Sequence, residues 1–321
     1  MAGEERLPEE KLLLVSPVFN EAAHLERTAR ALAAQTRPPT RWIVVDDGSA
    51  DDTLAIARGL AAEIPFIEVI ESGGDDATGP DKLAEAREAR AFNRGLAHAS
   101  WRDYDFVGKL DGDVEVPPAW FATLLDRFRD DPRLGLAGAR LVERDADDHW
   151  ARLQIPAHHI HGAVKLFRRE CLEAIGGIPE RLGWDTIDET YARMHGWGTR
   201  SFDDLEARHH RPYASADGRL RGRARHGECA WILHYGPVWV GMRSLKVARS
   251  APPVASGAAF LYGYWRAAAR GVPRVEDPDF RRFTRQELRS RVRGALRHPG
   301  STKERRKSAA AESLLPQRPQ A

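Results

Sequence analysis

Cysteine is scarce in this chain. Only two cysteines occur among 321 residues, Cys171 and Cys229, and they do not form a CxxC pair. This scarcity argues against a zinc site and against a disulfide framework, and it suits a reducing compartment. The formal net charge is only +2, which is too small to indicate bulk binding of nucleic acid.

Targeting and membrane-spanning segments are also missing from the pattern. The first residues, MAGEERLPEEK, are acidic where a signal peptide would be basic and then apolar, so we expect no export. The longest uncharged stretch, residues 250–265, is interrupted by proline and glycine and falls short of the ~20 apolar residues of a spanning helix. We therefore expect a cytoplasmic protein and leave open a peripheral contact with the inner face of the cell membrane.

Short apolar runs alternate with helical patterns along the first part of the chain. The runs KLLLVSPVF, RWIVV and residues 66–70 predict strands, and residues 21–36 and 53–62 predict helices between them. This alternation indicates right-handed crossovers and a parallel sheet. DYDFVGKL predicts a fourth strand, after a helix over residues 82–98.

The fold class that follows is α/β, with a Rossmann-like, mostly parallel sheet flanked by helices. We expect an N-terminal tail over residues 1–10, the α/β domain over 11–215, a mainly helical C-terminal extension over 216–297 and a disordered basic tail over 298–321.

Three polar clusters follow three of the predicted strands: Asn20-Glu21, Asp46-Asp47-Gly48-Ser49 and Asp111-Gly112-Asp113. Each cluster alone is typical of a cap or a solvated turn. In an open parallel sheet, however, ligands bind outside the carboxyl ends of the strands. Three acidic strand ends on one rim would concentrate negative charge that a divalent cation or a donor-rich ligand could offset.

The Asp111-Gly112-Asp113 cluster favours a metal in particular. Two carboxylates separated by one residue can both present oxygens to one hard cation, and ligation without cysteine suits Mg²⁺ or Mn²⁺ rather than zinc. Gly112 would let the backbone approach the ligand closely.

Four segments carry a resemblance to a known family. PVFNE (residues 17–21), VVDDGSADDT (44–53), KLDGDVEVPP (109–118) and FRRECLEAIGGIPERLGWDTIDET (167–190) resemble, in order and spacing, the signatures of family 2 glycosyltransferases with the GT-A fold. The resemblance covers about residues 11–215. It implies metal-assisted, inverting transfer of a sugar from a nucleotide diphosphate-sugar to an acceptor hydroxyl, in the synthesis of cell-envelope polysaccharide or glycolipid.

The resemblance also implies roles for individual residues. The nucleotide-sugar pocket would contain Pro17, Phe19, Glu21, Asp46, Asp47, Asp111, Gly112 and Asp113. Within it, Asp46 would accept a hydrogen bond from the base. Asp113, rather than Asp111, would be the direct ligand of the metal that bridges the diphosphate.

The catalytic segment departs from the family pattern. The usual Glu-Asp pair appears here as Asp188-Glu189, so either residue could be the general base; we favour Asp188 and keep Asp185 as a third candidate. The usual Arg-Asn pair is also displaced. We therefore interpret Arg90 and Lys82 as part of a solvated helix face, in preference to a role in binding phosphate.

The sequence leaves open the roles of several histidines and of one tryptophan. His210 could return to the rim as a third metal ligand. His158, His159 and His161 are interpreted as a polar loop before a strand rather than as a metal site. Trp184 could stack on a sugar face or belong to the core.

The basic C-terminal region has two interpretations. Residues 281–307 carry eleven Lys or Arg against two Glu. Apolar residues recur among them at near-helical spacing: Phe280, Phe283, Leu288, Val292 and Leu296. The pattern suits either an interfacial helix on anionic lipid, which would favour a lipid-linked or envelope glycan acceptor, or a charged helix packed on the domain.

Two other functional classes share this kind of sheet. A nucleotidyltransferase would need a Gly-rich, basic loop after the first strand, and PVFNEAAH supplies none. A non-catalytic nucleotide- or glycan-binding protein is the other alternative, and the intact Asp111, Asp113 and Asp188 argue against it.

Overall fold

The computed structural model describes residues 10–73, 86–144, 148–153, 155–211 and 218–297. The chain divides into two compact units between residues 211 and 212, and each unit is described by itself. The predicted N-terminal tail, apart from residue 10, and the predicted disordered tail lie outside the described residues.

One mixed sheet of nine strands organises the described part of the first unit. The strands are Leu12–Val18 (β1), Arg41–Asp46 (β2), Ile67–Glu71 (β3), Phe106–Leu110 (β4), Val114–Glu115 (β5), Leu134–Arg144 (β6), Trp150–Arg152 (β7), Val164–Arg168 (β8) and Gly198–His209 (β9). Their order is β3-β2-β1-β4-β8-β6-β9-β5, with β7 paired to β6.

The parallel half of the sheet is the half that the sequence predicted. The pairs β1–β2, β1–β4 and β2–β3 are parallel, so these four strands end at one edge. The later strands change the character of the sheet, because β8 runs antiparallel to both β4 and β6. The predicted α/β class is confirmed, and the parallel arrangement is concentrated in the N-terminal strands.

Six α-helices cover the two faces of this sheet: Leu25–Ala33 (α1), Thr53–Glu63 (α2), Arg87–His98 (α3), Trp120–Asp130 (α4), Arg169–Ala174 (α5) and Trp184–Met194 (α6). One apolar cluster joins the sheet to α1, α2 and α4. A second cluster joins it to α3, α5 and α6. Burial of both faces explains why β1, β2 and β4 are nearly continuous apolar runs.

The second unit is helical over its described residues. Its helices are Arg219–Ile232 (α7), Pro237–Val247 (α8), Ala255–Ala269 (α9) and Pro278–Arg297 (α10). Small residues let α7 and α9 pack closely, with Gly263 against the backbone of Ala224. Within the residues searched, no helix combines the length and the apolar character needed to cross a bilayer.

Helix α10 contains most of the apolar residues that were predicted to face either lipid or protein. Phe280, Thr284 and Leu288 are all buried and recur every four residues on one face, whereas Arg281, Arg282 and neighbouring basic residues are exposed. The structure therefore buries one apolar face of this helix and leaves its basic side chains exposed. The side chain of Leu296 lies outside the described part.

Candidate active site

The loops after β1 and β2 are held together by hydrogen bonds. The Asn20 amide donates to Ser49 Oγ (3.0 Å), and the Ala50 amide donates to Asn20 Oδ1 (2.8 Å). The Glu21 amide donates to Thr53 Oγ1 (2.7 Å). The first two predicted clusters therefore lie side by side.

Asp46 ends β2 with one oxygen engaged and one left over. Its Oδ2 accepts hydrogen bonds from the amides of Gly48 and Ser49, both at 3.1 Å. Its Oδ1 is buried and has no hydrogen-bond partner within the described ranges. A buried acceptor without a partner is costly, so Oδ1 is suited to accept a hydrogen bond from a ligand.

Asp47 is tied to its neighbours by both carboxylate oxygens. Arg87 Nε lies 2.9 Å from Oδ2, and Ser72 Oγ donates to Oδ1 at 2.8 Å. The Arg87 guanidinium also lies 5.6 Å from the centre of the Phe19 ring. Asp47 thus orders this loop, while Phe19 and Pro17 are half-buried beside it.

Arg87 was not identified from the sequence, which singled out Arg90 and Lys82. Arg90 Nε lies 4.0 Å from Glu180 and is partly exposed, while Lys82 lies outside the described residues. Asn93, on the same helix, donates to the carbonyl of Ile178 and to Glu180, both at 2.9 Å. It therefore orders the loop before the catalytic segment.

A group that could hold a metal ion lies at the ends of β4 and β9. Atoms of Asp111, Asp113 and His209 all lie within 4.8 Å of one another. His209 Nε2 is 3.4 Å from Asp113 Oδ2, and its Nδ1 is 2.7 Å from Glu143 Oε1. A carboxylate behind an imidazole fixes the orientation of the ring for ligation, and two carboxylates with one imidazole suit a cation such as Mn²⁺.

The electrostatics of this group favour a positive charge among the acids. Burial lowers the pKa of His209, but its hydrogen bonds to Asp113 and Glu143 outweigh burial and raise the pKa to about 10. Burial alone would raise the pKa of Asp113. The hydrogen bond and charge of His209 and the charge of Arg211 outweigh burial, so the pKa lies below its usual value. Burial raises the pKa of Asp111 to about 7. The charge of Lys109 opposes this shift, and the charges of Glu88 and Asp113 add to it.

The structure brings His209 into this group where the sequence suggested His210. His209 is directly opposite Val114 in the β5–β9 pair, whereas His210 Nε2 lies 2.8 Å from Glu115. Successive residues of an extended chain point to opposite sides. Only one of two adjacent histidines can therefore face the aspartates.

Glu21 and Arg211 border the same group. Arg211 Nη2 lies 2.5 Å from Glu21 Oε1, and Arg211 Nε lies 3.9 Å from Asp113 Oδ2. Burial and the charge of Asp113, together with that of Asp111, raise the pKa of Glu21 to about 8 against the effect of Arg211. Three acids from two strand ends therefore influence one another electrostatically.

Gly112 is required by its packing against the neighbouring loop. A Cβ at this position would lie 2.8 Å from Val18 Cγ1 and 3.3 Å from Glu21 Cγ. The Gly112 carbonyl accepts a hydrogen bond from Thr28 Oγ1 (2.9 Å). The glycine therefore lets the turn between the two aspartates pack on the loop after β1.

Two fully buried lysines lie next to the acids. Lys109 and Lys165 are directly opposite each other in the antiparallel pair β4–β8. Lys109 pairs with Asp111 and Glu88 and donates to the carbonyl of Gly162 at 2.9 Å. These acids outweigh the lowering effect of burial and raise the pKa of Lys109 above its usual value.

Lys165 holds the predicted catalytic segment. Its Nζ donates to both oxygens of Asp188 at 2.8 Å and to the carbonyl of Asp185 at 2.6 Å, and it lies 3.5 Å from Glu189. Trp184 is 8% exposed, and its ring centre lies 5.4 Å from Lys109 Nζ and 5.2 Å from Lys165 Nζ. Trp184 is therefore a core residue between the two cations.

The start of helix α6 sets the exposure of the three candidate bases. The helix starts at Trp184, after Gly183 with a φ of +83°. Asp185 then lies in the first turn and is partly exposed, whereas Asp188 and Glu189 are 0% and 1% exposed.

The pKa values of the two buried acids of this segment are shifted in opposite directions. Burial raises the pKa of Asp188 to about 6, against the lowering effect of Lys165. Burial also raises the pKa of Glu189, but the charges of His159, Lys165 and Arg193 lower it to about 2. Glu189 accepts from the amide of Ile160 at 2.7 Å, so it anchors the segment before β8.

The three histidines before β8 lie in the loop that precedes this strand. His159 Nδ1 lies 3.1 Å from Glu189. His161 accepts a hydrogen bond from the Ala163 amide at 3.2 Å, and its ring centre lies 6.2 Å from that of His209.

Together, the sheet and the rim of acids define a protein of the GT-A glycosyltransferase type. The chain belongs to glycosyl transferase family 2, whose model matches residues 14–179, slightly more than half of the 321 residues. The fold class and the family predicted from the four motifs are confirmed.

Two curated relatives and one solved structure illustrate the likeness. The succinoglycan biosynthesis protein ExoA of Rhizobium meliloti is 28% identical over 211 residues, covering 59% of this chain and 59% of that protein. The β-monoglucosyldiacylglycerol synthase of Synechocystis is 25% identical over 212 residues, covering 60% of this chain and 42% of that protein. The chain thus spans about half the length of these relatives.

The solved structure is the mannosyltransferase PcManGT from Pyrobaculum calidifontis in complex with GDP-Man and Mn²⁺. It aligns over 94% of this chain and 84% of its own with a TM-score of 0.52 and 20% identity. At this identity the comparison establishes the fold.

Proposed function

We propose that this protein is a metal-assisted, inverting glycosyltransferase that uses a nucleotide diphosphate-sugar as donor. The observation that carries the proposal is the Asp111–Asp113–His209 group, at the carboxyl ends of the strands of a family 2 fold. Ligands of open parallel sheets bind at this edge.

The donor nucleotide would bind over the ends of β1 and β2. Asp46 Oδ1, buried and without a partner among the described residues, would accept a hydrogen bond from the base. Phe19 and Pro17 offer apolar surface beside it. Arg87 and Ser72 hold Asp47, so the loop that contacts the nucleotide is ordered before the donor binds.

The donor set fits Mg²⁺ or Mn²⁺. Asp113 and Asp111 would supply carboxylate oxygens and His209 would supply Nε2, with Glu143 holding the other ring nitrogen. A divalent cation bound there would act as a Lewis acid toward the diphosphate leaving group. The sequence suggested His210 for this position; Glu115 engages that ring instead.

Asp185 is the residue best placed to act as general base. Among the three candidate bases, Asp185 is partly exposed to solvent, whereas Asp188 and Glu189 are buried. Lys165 donates a hydrogen bond to the Asp185 carbonyl and so fixes its backbone. Its carboxylate would take the proton of the acceptor hydroxyl as that oxygen attacks the anomeric carbon and the bond to the diphosphate breaks. A single base on one face of the sugar gives inversion in one step.

The relatives suggest the class of acceptor. One is named for succinoglycan biosynthesis and one for synthesis of a glucosylated diacylglycerol. We therefore propose a polysaccharide or glycolipid acceptor in cell-envelope synthesis, with a hydroxyl of a glycan or of a lipid-linked glycan as the nucleophile.

The test is release of nucleoside diphosphate from a panel of UDP-, GDP- and dTDP-sugars with Mn²⁺, with water or simple glycosides as acceptors. We expect metal-dependent release from one nucleotide class by the wild type and none by Asp113→Ala, and NMR of the first-formed sugar should show an inverted anomeric centre. Absence of both release and binding for every donor would overturn the proposal. Retention of configuration would overturn the single-base mechanism.

A further inference from the structure

The C-terminal unit presents apolar side chains to solvent. Seven large apolar side chains are exposed in the described part of the chain, and all seven lie in this unit: Leu220, Val238, Met242, Leu245, Val254, Tyr262 and Trp265. Single exposed apolar residues are common, but a concentration of them marks an interaction surface.

Helix α8 is apolar on two opposite faces. Val240 and Val247 are buried at 1% and 6% exposure and pack inward. Val238, Met242 and Leu245 follow the i, i+4, i+7 spacing of a second face, where Val238 is 77% and Leu245 is 69% exposed. Within the described residues, the chain covers one of the two faces and leaves the other exposed.

Helix α9 shows the same division with aromatic residues. Phe260 and Tyr264 are buried at 3% and 2% exposure, whereas Tyr262 and Trp265, three residues apart, are 61% and 55% exposed. Tyrosine and tryptophan rings combine an apolar body with a polar group, and they are enriched where a bilayer meets water.

The segment that carries α8 and α9 has charged residues of one sign. Residues 229–275 contain six Arg or Lys and no Asp or Glu. Lys246, Arg249 and Arg270 are exposed in this segment. A second copy docked on the same surface about a twofold axis would place like charges opposite one another, whereas an anionic lipid surface complements them.

We propose that the outward face of α8, formed by Val238, Met242 and Leu245, docks on an anionic bilayer. The apolar side chains enter the boundary between headgroups and acyl chains. Lys246 and Arg249, exposed at and just beyond the end of the same helix, pair with lipid phosphates. The contact lies in α8, not in the basic helix α10, whose apolar face is already buried, and it does not depend on transferase activity.

The experiment is flotation of the full chain with vesicles of phosphatidylcholine alone or of phosphatidylcholine and phosphatidylglycerol in equal amounts. We expect binding to the anionic vesicles that weakens with salt. Leu245→Glu should lower the partition coefficient by about tenfold or more, because the variant loses the favourable transfer of a leucine side chain into lipid. Leu245→Phe, which keeps the position apolar, should retain binding.

Charge reversals separate this surface from the basic helix. Lys246→Glu should weaken binding more than Arg282→Glu, which makes the same change of charge at a side chain of α10 that is 78% exposed. Equal binding by wild type and Leu245→Glu would overturn the proposal, as would equal losses for the two charge reversals. A wild-type dimer that Leu245→Glu dissociates, with no vesicle binding by either, would assign the surface to self-association instead.

Discussion

The two units, residues 10–211 and residues 218–297, differ in which side chains they bury. The first unit buries charge: Lys109, Lys165, Asp188 and Glu189 are each 1% exposed or less. The second unit exposes apolar groups, including Val238 and Leu245. Buried charge and exposed apolar surface each cost free energy in isolation. Each arrangement therefore indicates a functional site rather than a contribution to stability.

In the first unit the buried charges are paired and organise the rim of the sheet. Lys109 joins Asp111 to Glu88, and Lys165 joins Asp188 to the carbonyl of Asp185. Both lysines lie against Trp184. The network therefore connects the candidate metal ligands to the candidate base through buried residues. In the second unit, the exposed apolar side chains underlie the proposed contact with a bilayer.

The largest effect should come from the exposed acid of α6. Asp185→Asn should reduce turnover by about 10²–10⁴-fold, because a positioned base is lost, while donor binding measured by calorimetry stays unchanged. Asp188→Asn is the matched control, since the same substitution one turn away changes a buried ion pair. If Asp188→Asn lost turnover and Asp185→Asn did not, the general base would be Asp188, as first favoured from the sequence.

The buried pair should matter most for stability. Lys165→Met should lower the free energy of unfolding by about 3–5 kcal/mol, because it leaves the Asp188 charge buried without its partner. The double variant Lys165→Met with Asp188→Leu should recover much of that loss. Denaturant unfolding of the single and double variants measures this coupling. Additive losses would mean that the ion pair does not organise the segment.

Adjacent histidines offer a smaller, local test. His209→Gln should weaken binding of Mn²⁺ by at least about tenfold, a loss seen even when residues that only support a ligand are changed. His210→Gln, with Glu115 as its partner, should leave Mn²⁺ affinity close to that of the wild type. Titration of Mn²⁺ by electron paramagnetic resonance would measure both. A stronger effect at His210 would restore the original assignment.

The smallest expected effect is a pH dependence at His159. Burial lowers the pKa of His159, but the charge and hydrogen bond of Glu189 outweigh burial and raise it above 6.5. The folded state therefore holds this proton more tightly than the unfolded state, so its stabilising effect is complete below pH 6.5 and is lost as the pH rises through the raised pKa. The stability difference between wild type and His159→Gln should shrink with rising pH. A constant difference across the range would contradict the pairing.

The acidic rim was predictable because it depends on local pattern. Strands β1, β2 and β4 are short apolar runs that end in acids, and the order of elements forces parallel pairing. His209 could also have been identified. Leu205, Ala207 and His209 are buried in alternation, a period of two that is visible in the sequence and places His209, not His210, on the inner side.

Other features needed tertiary structure. The pairing of Lys109 with Lys165 depends on an antiparallel register between β4 and β8, and no local pattern encodes it. The start of α6 at Trp184 decides which of Asp185, Asp188 and Glu189 is exposed. The run LGWDTIDET would permit a helix to start at several positions. In α8 both faces are apolar, so the sequence could not show that Val240 packs inward and Val238 outward.

One measurement tests the central claim most directly: calorimetric titration of UDP-, GDP- and dTDP-sugars into wild type and Asp113→Ala, with and without Mn²⁺. The account predicts binding of one nucleotide class that requires Mn²⁺ and disappears in Asp113→Ala. Binding that is equally tight without metal, or unchanged in Asp113→Ala, would contradict a metal-assisted donor site at Asp111, Asp113 and His209.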